Sequence, residues 1–355
     1  MNKILSVIIP TYNMEKYLRH CLDSLIIDEV GMKQLEVLVV NDGSKDSSSQ
    51  IAHEYQDKYP DTFRVIDKEN GNYGSCINRG LKEATGKYVK VLDADDSYNN
   101  DIFARYIFEL SKADVDLILN DVATVNSNDT IFKKSVFDLT PGRLYSFEDL
   151  SMSIYKGICM HAIAYRTSIF KEMKYLQTEG ISYTDQQWIY MPMVNVKSVL
   201  YLNGCLYRYL IGREGQTVSP EAVKRQLEHK VIVANSMLEF YESQQTLSPS
   251  VSKYLLTKVE FCYNELYRIC LNSDDKKLLQ KVIEIDDFIK IKSKTIYDLL
   301  QNSTMSPLFH YHFIRSWRKD KQKAIPPIYF FIGKYSSKAN TLINLIVNLG
   351  TVGKC

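Results

Sequence analysis

The sequence predicts an α/β fold, an open and mainly parallel sheet flanked by helices, with a C-terminal helical region behind it. Three observations predict this. Over the first 120 residues, short apolar runs of strand type alternate with segments whose apolar residues recur at three-to-four spacing. Polar residues gather directly after those runs, at 11–13, 41–44 and 93–96, which is where ligands sit in such sheets. From about residue 221, helical spacing continues without further strand-like runs.

The elements follow in order. Residues 4–9 form an apolar β-type run, and 15–27 carry helix-spaced Tyr17, Leu18, Cys21, Leu22 and Leu25. A second run spans 35–40, then a polar helix at 46–59 starts at Ser44 or Asp46 as cap. A third run, 63–66, leads to a helix at 73–84 that ends before Gly86. A fourth, 88–92, is followed by a helix at 102–111 and a further strand at 117–119. This rhythm demands crossover helices on both faces of a sheet. Residues 120–220 are less regular, and 221–241, 252–271 and 276–290 read as helices.

Composition excludes several classes. The chain has 355 residues, 45% hydrophobic and 24% charged, the balance of a globular protein of one large or two ordinary domains. Its net charge of +2 hides an asymmetry: −5 over residues 1–220 and +7 over 221–355. The basic C-terminal third suits an anionic partner such as a membrane surface or a phosphate group. Seven scattered cysteines without a C-x-x-C fit a reduced, cytoplasmic protein rather than a disulfide framework or zinc site. The N-terminal apolar run stops at Pro10 without a small-residue cleavage site, so a strand is expected there, not a signal peptide. No apolar stretch approaches the ~18 residues of a membrane span.

The chemistry centres on Asp93, Ala94, Asp95 and Asp96, which close the apolar run Tyr88, Val89, Lys90, Val91 and Leu92. Carboxylates crowded at the end of a buried strand repel one another. Mg²⁺ or Mn²⁺, which prefer oxygen ligands, relieves that repulsion. In extended backbone, residues i and i+2 point the same way, so Asp93 and Asp95 are candidates for one ligand. A solvated acidic turn capping the next helix is the other reading. No G-x-G-x-x-G follows the first strand, and no P-loop or G-x-S-x-G elbow occurs, which argues against dinucleotide oxidoreductases, P-loop enzymes and α/β-hydrolases.

Four ordered segments resemble the inverting family 2 glycosyltransferases of the GT-A fold, of the type that builds bacterial surface polysaccharides. They are Ser6 to Asn13; Val39 to Ser47 with its D-G-S turn; Glu69-Asn70-Gly71 with Asn78-Arg79-Gly80-Leu81 and Ala84 to Tyr88; and the D-x-D of Val91 to Asp96. They cover about the first hundred residues. The resemblance implies an inverting, metal-dependent transfer of a sugar from a nucleoside diphosphate, most simply UDP, to a hydroxyl of a glycan or lipid-linked acceptor. It implies Mn²⁺ or Mg²⁺ held by Asp95, with Asp93 on the metal or ribose. Asp42 would receive the base imide. Pro10, Thr11, Tyr12, Asn13, Asn70 and Ala94 would line the nucleotide pocket. Asp185 lies 92 residues past Asp93, where this family carries its catalytic base, and also suits the first turn of a helix. Arg213, and Arg208 after it, suit the diphosphate. His161, Thr184 and Trp188 are candidate acceptor or donor contacts.

Three positions depart from the family pattern: Asn41 for a second Asp, Ile77 for a basic residue, and Thr184 for an acid before the base. The change of pattern along the chain divides it into a GT-A glycosyltransferase domain at 1–220, a helical region at 221–300 and a basic, aromatic segment at 301–355. Within the last, 315–332 reads either as a peripheral contact with the inner face of the cell membrane or as a packing segment with a solvated face. The helical region is a candidate homodimer surface, and no nucleic-acid partner is expected. Two other functions compete: a catalytically dead scaffold that binds a sugar nucleotide, and a sugar-nucleotide pyrophosphorylase. The latter wants a Gly-rich basic loop after the first strand, and Pro10-Thr11-Tyr12-Asn13 is not one.

Overall fold

A computed structural model describes residues 3–213, 226–272, 275–305, 310–321, 325–326, 328–329 and 331–332. The chain divides into two compact units, the first formed by residues 1–229 with 246–254, the second by 230–245 with 255–355.

The first unit is one twisted sheet with helices around it. Its elements run β1 (Leu5–Thr11), α1 (Leu18–Asp23), α2 (Glu29–Gln34), β2 (Leu35–Asn41), α3 (Ser48–Lys58), β3 (Phe63–Asp67), α4 (Asn72–Glu83), β4 (Tyr88–Val91), β5 (Ser97–Tyr98) and α5 (Asn100–Lys112). They continue as β6 (Leu117–Val125), β7 (Ile131–Ser135), β8 (Leu144–Ser146), α6 (Met152–Gly157), β9 (Ile163–Arg166), α7 (Ser168–Glu172), α8 (Asp185–Trp188) and β10 (Ser198–Leu210). The strand order is β3-β2-β1-β4-β9-β6-β10-β5, with β7 on β6 and β8 on β10.

β1, β2, β3 and β4 pair in parallel, and every residue of β2 and β4 is buried. Burial on both faces explains their unbroken apolar runs. β9 then enters antiparallel between β4 and β6, so the second half of the sheet is mixed. At only 4 residues, β9 left no periodic signal in the irregular stretch 120–220.

Register brings the ligand edge together. Thr11 pairs Asn41, and Asn41 pairs Asp67, so β1, β2 and β3 end side by side. α4 crosses close over β1 because position 80 is glycine: a Cβ there would sit 2.5 Å from Ile8. The turn after β2 carries Gly43 at φ +71°, a conformation that favours glycine.

The second unit is helical, built on most of Leu227–Ser243 and Pro249–Leu271 and on Lys276–Lys292, Lys294–Leu300 and Phe313–Trp317. Tyr263, Tyr267, Ile285, Ile289 and Leu300 fill its core. Within it, fully buried Asp286 accepts from Tyr267 at 2.5 Å and Arg318 at 2.7 Å, and lies 2.7 Å from Lys321. Among the described residues, no helix is long and apolar enough to cross a membrane. The segment 315–332 is described only in part, and residues 214–225 and 333–355 lie outside the described residues.

Candidate functional site

A pocket of about 370 Å³ opens at the C-terminal edge of β1, β2 and β4. Pro10, Thr11 and Tyr12 form one wall, Asp42 and Asn70 a second, and Asp93, Ala94, Asp95 and Arg213 a third. These nine residues, scattered over two hundred positions, are thereby brought together.

The Asp42 wall is preorganised. Asp42 is buried, and its Oδ1 accepts from Lys68 Nζ at 2.5 Å and from Gly71 N at 2.9 Å. Asn70 Nδ2 donates to the Asp42 carbonyl at 2.9 Å. The lysine neutralises a carboxylate that would otherwise be costly to bury. Asn41 ties strands instead: its Nδ2 donates to Asp67 Oδ1 at 2.7 Å, and its Oδ1 accepts from Ser44 N at 3.2 Å.

The acidic stretch turns sharply, with Asp96 N donating to Asp93 O at 3.0 Å. Its three carboxylates take different environments. Asp93 accepts from the Tyr73 hydroxyl at 2.9 Å and lies 3.6 Å from His161 Nε2. Asp95 is ion-paired with Arg213, whose guanidinium also lies 5.6 Å from the Tyr17 ring. Asp96 accepts from the Tyr207 hydroxyl and from Leu210 N, both at 2.7 Å. Burial first, then the neighbouring carboxylates, pushes Asp95 up from the usual carboxylate range and Asp96 well above it.

Tyr207 and Tyr209 stand two apart on β10 and share a face. His161 packs against both, with ring centroids 4.5 and 4.7 Å away. Burial pulls the imidazole down, but its hydrogen bonds to Asp93 and Cys159 outweigh this and hold it well above the ordinary value. The turn carrying His161 is held from beneath. Fully buried Lys90 donates to Asn120 Oδ1 at 2.8 Å, to the His161 carbonyl at 2.9 Å and to the Ile163 carbonyl at 3.0 Å. With no carboxylate partner among these three, burial lowers Lys90 to about 7.

Ligand atoms of Asp93, Asp96 and His161 lie within 4.8 Å of one another, the one such group among the described residues. Two carboxylates and an imidazole fit a divalent cation of the Mn²⁺ kind better than a soft metal. The geometry therefore moves His161 from a general candidate contact to the side of Asp93. Asp95 is not in this group and is engaged by Arg213. Asp96 does not cap the following helix; Asn99 does, accepting from Ile102 N at 3.1 Å.

Asp185 opens α8 and accepts from Gln186 Nε2 at 2.9 Å. Its charge is felt by Tyr73 and Tyr209, both of which line the pocket. Burial, then Asp96, Asp93, Asp95 and Asp185, pushes the Tyr209 phenol to about 12.

Four expected contacts are corrected. Trp188 is fully buried and stacks on Phe170 at 4.6 Å, so it is core. Thr184 is fully buried and accepts from Gln177 Nε2 at 2.9 Å. Arg208 alternates to the opposite face of β10 from Tyr207 and Tyr209. It donates to Asp129 Oδ1 at 2.8 Å in a separate groove with His20 and Asp23. Asn13 is absent from the pocket wall; it clamps two loops, its Oδ1 accepting from Lys45 N at 2.7 Å.

Sequence reasoning missed Lys68, Tyr73, Tyr207 and Tyr209. The alternation Tyr207-Arg208-Tyr209 was a usable signal for the last two, since strand residues two apart share a face. Tyr73 and Lys68 offered none, because their partners lie 20 and 26 residues away in other elements.

Comparison with known proteins accords with this geometry. Residues 6–174 match the model of a family described as Glycosyl transferase family 2. The chain is 32% identical over 219 residues to MG025 of Mycoplasma genitalium, an uncharacterized glycosyltransferase, covering 61% of this chain and 70% of that protein. It is 27% identical over 316 residues to TarS of Staphylococcus aureus, a poly(ribitol-phosphate) β-N-acetylglucosaminyltransferase, covering 86% of this chain and 52% of TarS. The chain thus spans about half the length of TarS. A crystal structure of S. aureus TarS 1–349 in complex with UDP-GlcNAc superposes with a TM-score of 0.68 at 21% identity, over 95% of this chain and 92% of that one. The fold is therefore GT-A, with a helical C-terminal region.

Proposed function

The chain belongs to glycosyl transferase family 2, and from that premise we propose that it moves one sugar from a UDP-sugar to a hydroxyl of a glycan or lipid-linked acceptor, with inversion. The observation that carries this is the single pocket in which Asp42 and Asn70 face Asp93, Asp95 and Arg213. One end offers a neutralised carboxylate for a base N–H, the other carboxylates and a guanidinium for a diphosphate.

In this reading Thr11 and Tyr12 line the nucleoside, Asp42 accepts from the imide, and Arg213 holds the diphosphate. Asp93, Asp96 and His161 would hold the divalent cation, with Asp95 beside them. When bound, that cation neutralises charge on the leaving diphosphate. Asp185 takes the acceptor hydroxyl's proton. The acceptor oxygen forms its bond to the anomeric carbon from the far side, and the bond to the diphosphate breaks with its electron pair leaving on the nucleotide. Tyr73 keeps Asp93 oriented toward the pocket.

The name of TarS supports an acceptor in a surface polymer and a GlcNAc donor as the first to try. Peripheral membrane contact through 315–332 and dimerisation through 221–300 are proposed to bring acceptor and enzyme together. The division at 220 and 300 is likewise a working proposal.

A panel of UDP-, GDP- and dTDP-sugars, assayed for Mn²⁺-dependent hydrolysis, tests the reading. UDP-sugar turnover lost in Asp93→Asn supports it. Binding of UDP with hydrolysis of none of these sugars would leave the scaffold reading in its place, and no binding of UDP would remove both.

A further inference from the structure

We infer that Arg213 is the resting counter-cation of Asp95, and that it yields this place to a divalent cation and passes onto the donor diphosphate, so that cation and nucleotide bind cooperatively. The inference rests on the reading of the pocket as a donor site.

Asp95 needs a cation at all times. It stands among three carboxylates in four residues, and its side chain is only 10% exposed. An unpaired carboxylate there is costly. Arg213, itself 16% exposed, meets this need by placing Nε on Asp95 Oδ2. A guanidinium and a divalent cation brought to one carboxylate repel each other, so a metal ion on Asp95 weakens its pair with Arg213. A cation that recruits Asp95 to Asp93 and His161 therefore releases Arg213.

The released arginine has a short reach and a suitable target. Its root is fixed, because Leu210 N at the end of β10 donates to Asp96 Oδ1 at 2.7 Å. Between root and arginine lies Gly212 at φ +97°, and among the described residues a Cβ built there meets nothing within 4 Å. Glycine is required at this position by backbone freedom, not by space. The guanidinium already lines the pocket, and its fork suits phosphate oxygens better than a single carboxylate oxygen.

The exchange has a thermodynamic signature. Metal alone must break the Asp95–Arg213 pair. Nucleotide alone must draw Arg213 away and leave Asp95 uncompensated. Together each removes the other's cost, and the coupling is the same in both directions.

The full chain is titrated with Mn²⁺, read by the electron paramagnetic resonance of free Mn²⁺, with and without UDP. UDP is titrated calorimetrically with and without Mn²⁺. In the wild type each ligand is expected to tighten the other by about tenfold. In Arg213→Gln, Mn²⁺ alone is expected to bind more tightly than in the wild type, UDP alone more weakly, and the coupling to fall severalfold, to what the direct attraction between cation and diphosphate leaves. Arg213→Lys keeps the charge without the fork and is expected to fall between; melting curves of both variants establish that they fold. If Arg213→Gln binds Mn²⁺ alone no better than the wild type, or keeps full coupling, the exchange is wrong. If the wild type binds both ligands without coupling, the exchange alone falls. If it binds neither, the donor-site reading falls with it.

Discussion

The Tyr73 hydroxyl donates to Asp93 Oδ1 across 2.9 Å and joins the first turn of α4 to the acidic turn after β4. The same hydroxyl lies 2.9 Å from Met160 Sδ, next to His161 in the chain. Burial first, then the charge of Asp93, keeps this phenol protonated, so it remains a donor. One tyrosine thus orients the carboxylate on which donor and cation are proposed to converge.

Tyr73→Phe removes that donor with little change of shape. A hydrogen bond to a charged group is worth about 1.5–3 kcal/mol. Mn²⁺ affinity in the presence of UDP is therefore expected to fall roughly tenfold or more. Manganese titration of the folded variant checks this; an unchanged affinity means Asp93 is oriented by other contacts.

Asp185→Asn keeps the shape of α8 and removes the proposed base. UDP and UDP-sugar affinity is expected to persist, while transfer falls by about two to four orders of magnitude. Isothermal titration beside a transfer assay separates the two. Loss of donor binding with residual transfer would remove Asp185 from its role.

His161→Ala and Trp188→Ala should separate site from core. Trp188 is fully buried among Phe170, Tyr165 and Tyr175, so its truncation is expected to cost about 3–5 kcal/mol of stability. His161→Ala is expected to weaken Mn²⁺ binding more than it lowers the melting temperature. A loss of stability as large as that of Trp188→Ala would make His161 a packing residue.

Lys90 makes stability depend on pH. Its folded pKa of about 7 lies below the ordinary 10.5, so the unfolded chain binds more protons between these values. Its contribution therefore grows as pH rises from 7 and is reduced as pH falls through 7. The melting temperature of the wild type relative to that of Lys90→Met should rise from pH 7 to pH 9. A constant gap would mean Lys90 stays charged throughout.

In the second unit, Arg318→Ala leaves fully buried Asp286 with less than its present charge compensation. Breaking a buried pair from one side costs about 3–5 kcal/mol. The double variant Asp286→Leu with Arg318→Met should recover most of that loss in a thermal melt. Equal melting of wild type and Arg318→Ala would show that Tyr267 and Lys321 suffice.

Much of this molecule was legible in its residues. Helices expected at 73–84, 102–111 and 276–290 are found at Asn72–Glu83, Asn100–Lys112 and Lys276–Lys292. Apolar period is a local property, set by which face of a segment must leave water. The polar strand ends were legible for the same reason, since carboxylates and amides do not enter a buried run without purpose. Trp188 was misjudged because composition does not distinguish an aromatic at a pocket from one in a core. Arg208 was misjudged because its face depends on the register of β10, which a sequence without its partner strand does not reveal.

The chain by itself determined a parallel β/α half, a helical C-terminal part, and the carboxylates, Asp42, Asp93, Asp95 and Asp96, that stand at its strand ends. Each follows from local burial and local charge. Only the tertiary structure decided how those carboxylates divide: Asp42 to Lys68, Asp93 to Tyr73 and His161, Asp95 to Arg213, and Asp96 to Tyr207. Most of these partners lie 68 to 118 residues away, Tyr73 and Lys68 nearer, and all are delivered by other elements. A carboxylate's charge is written in the sequence, but its counter-charge is chosen by which strands lie side by side.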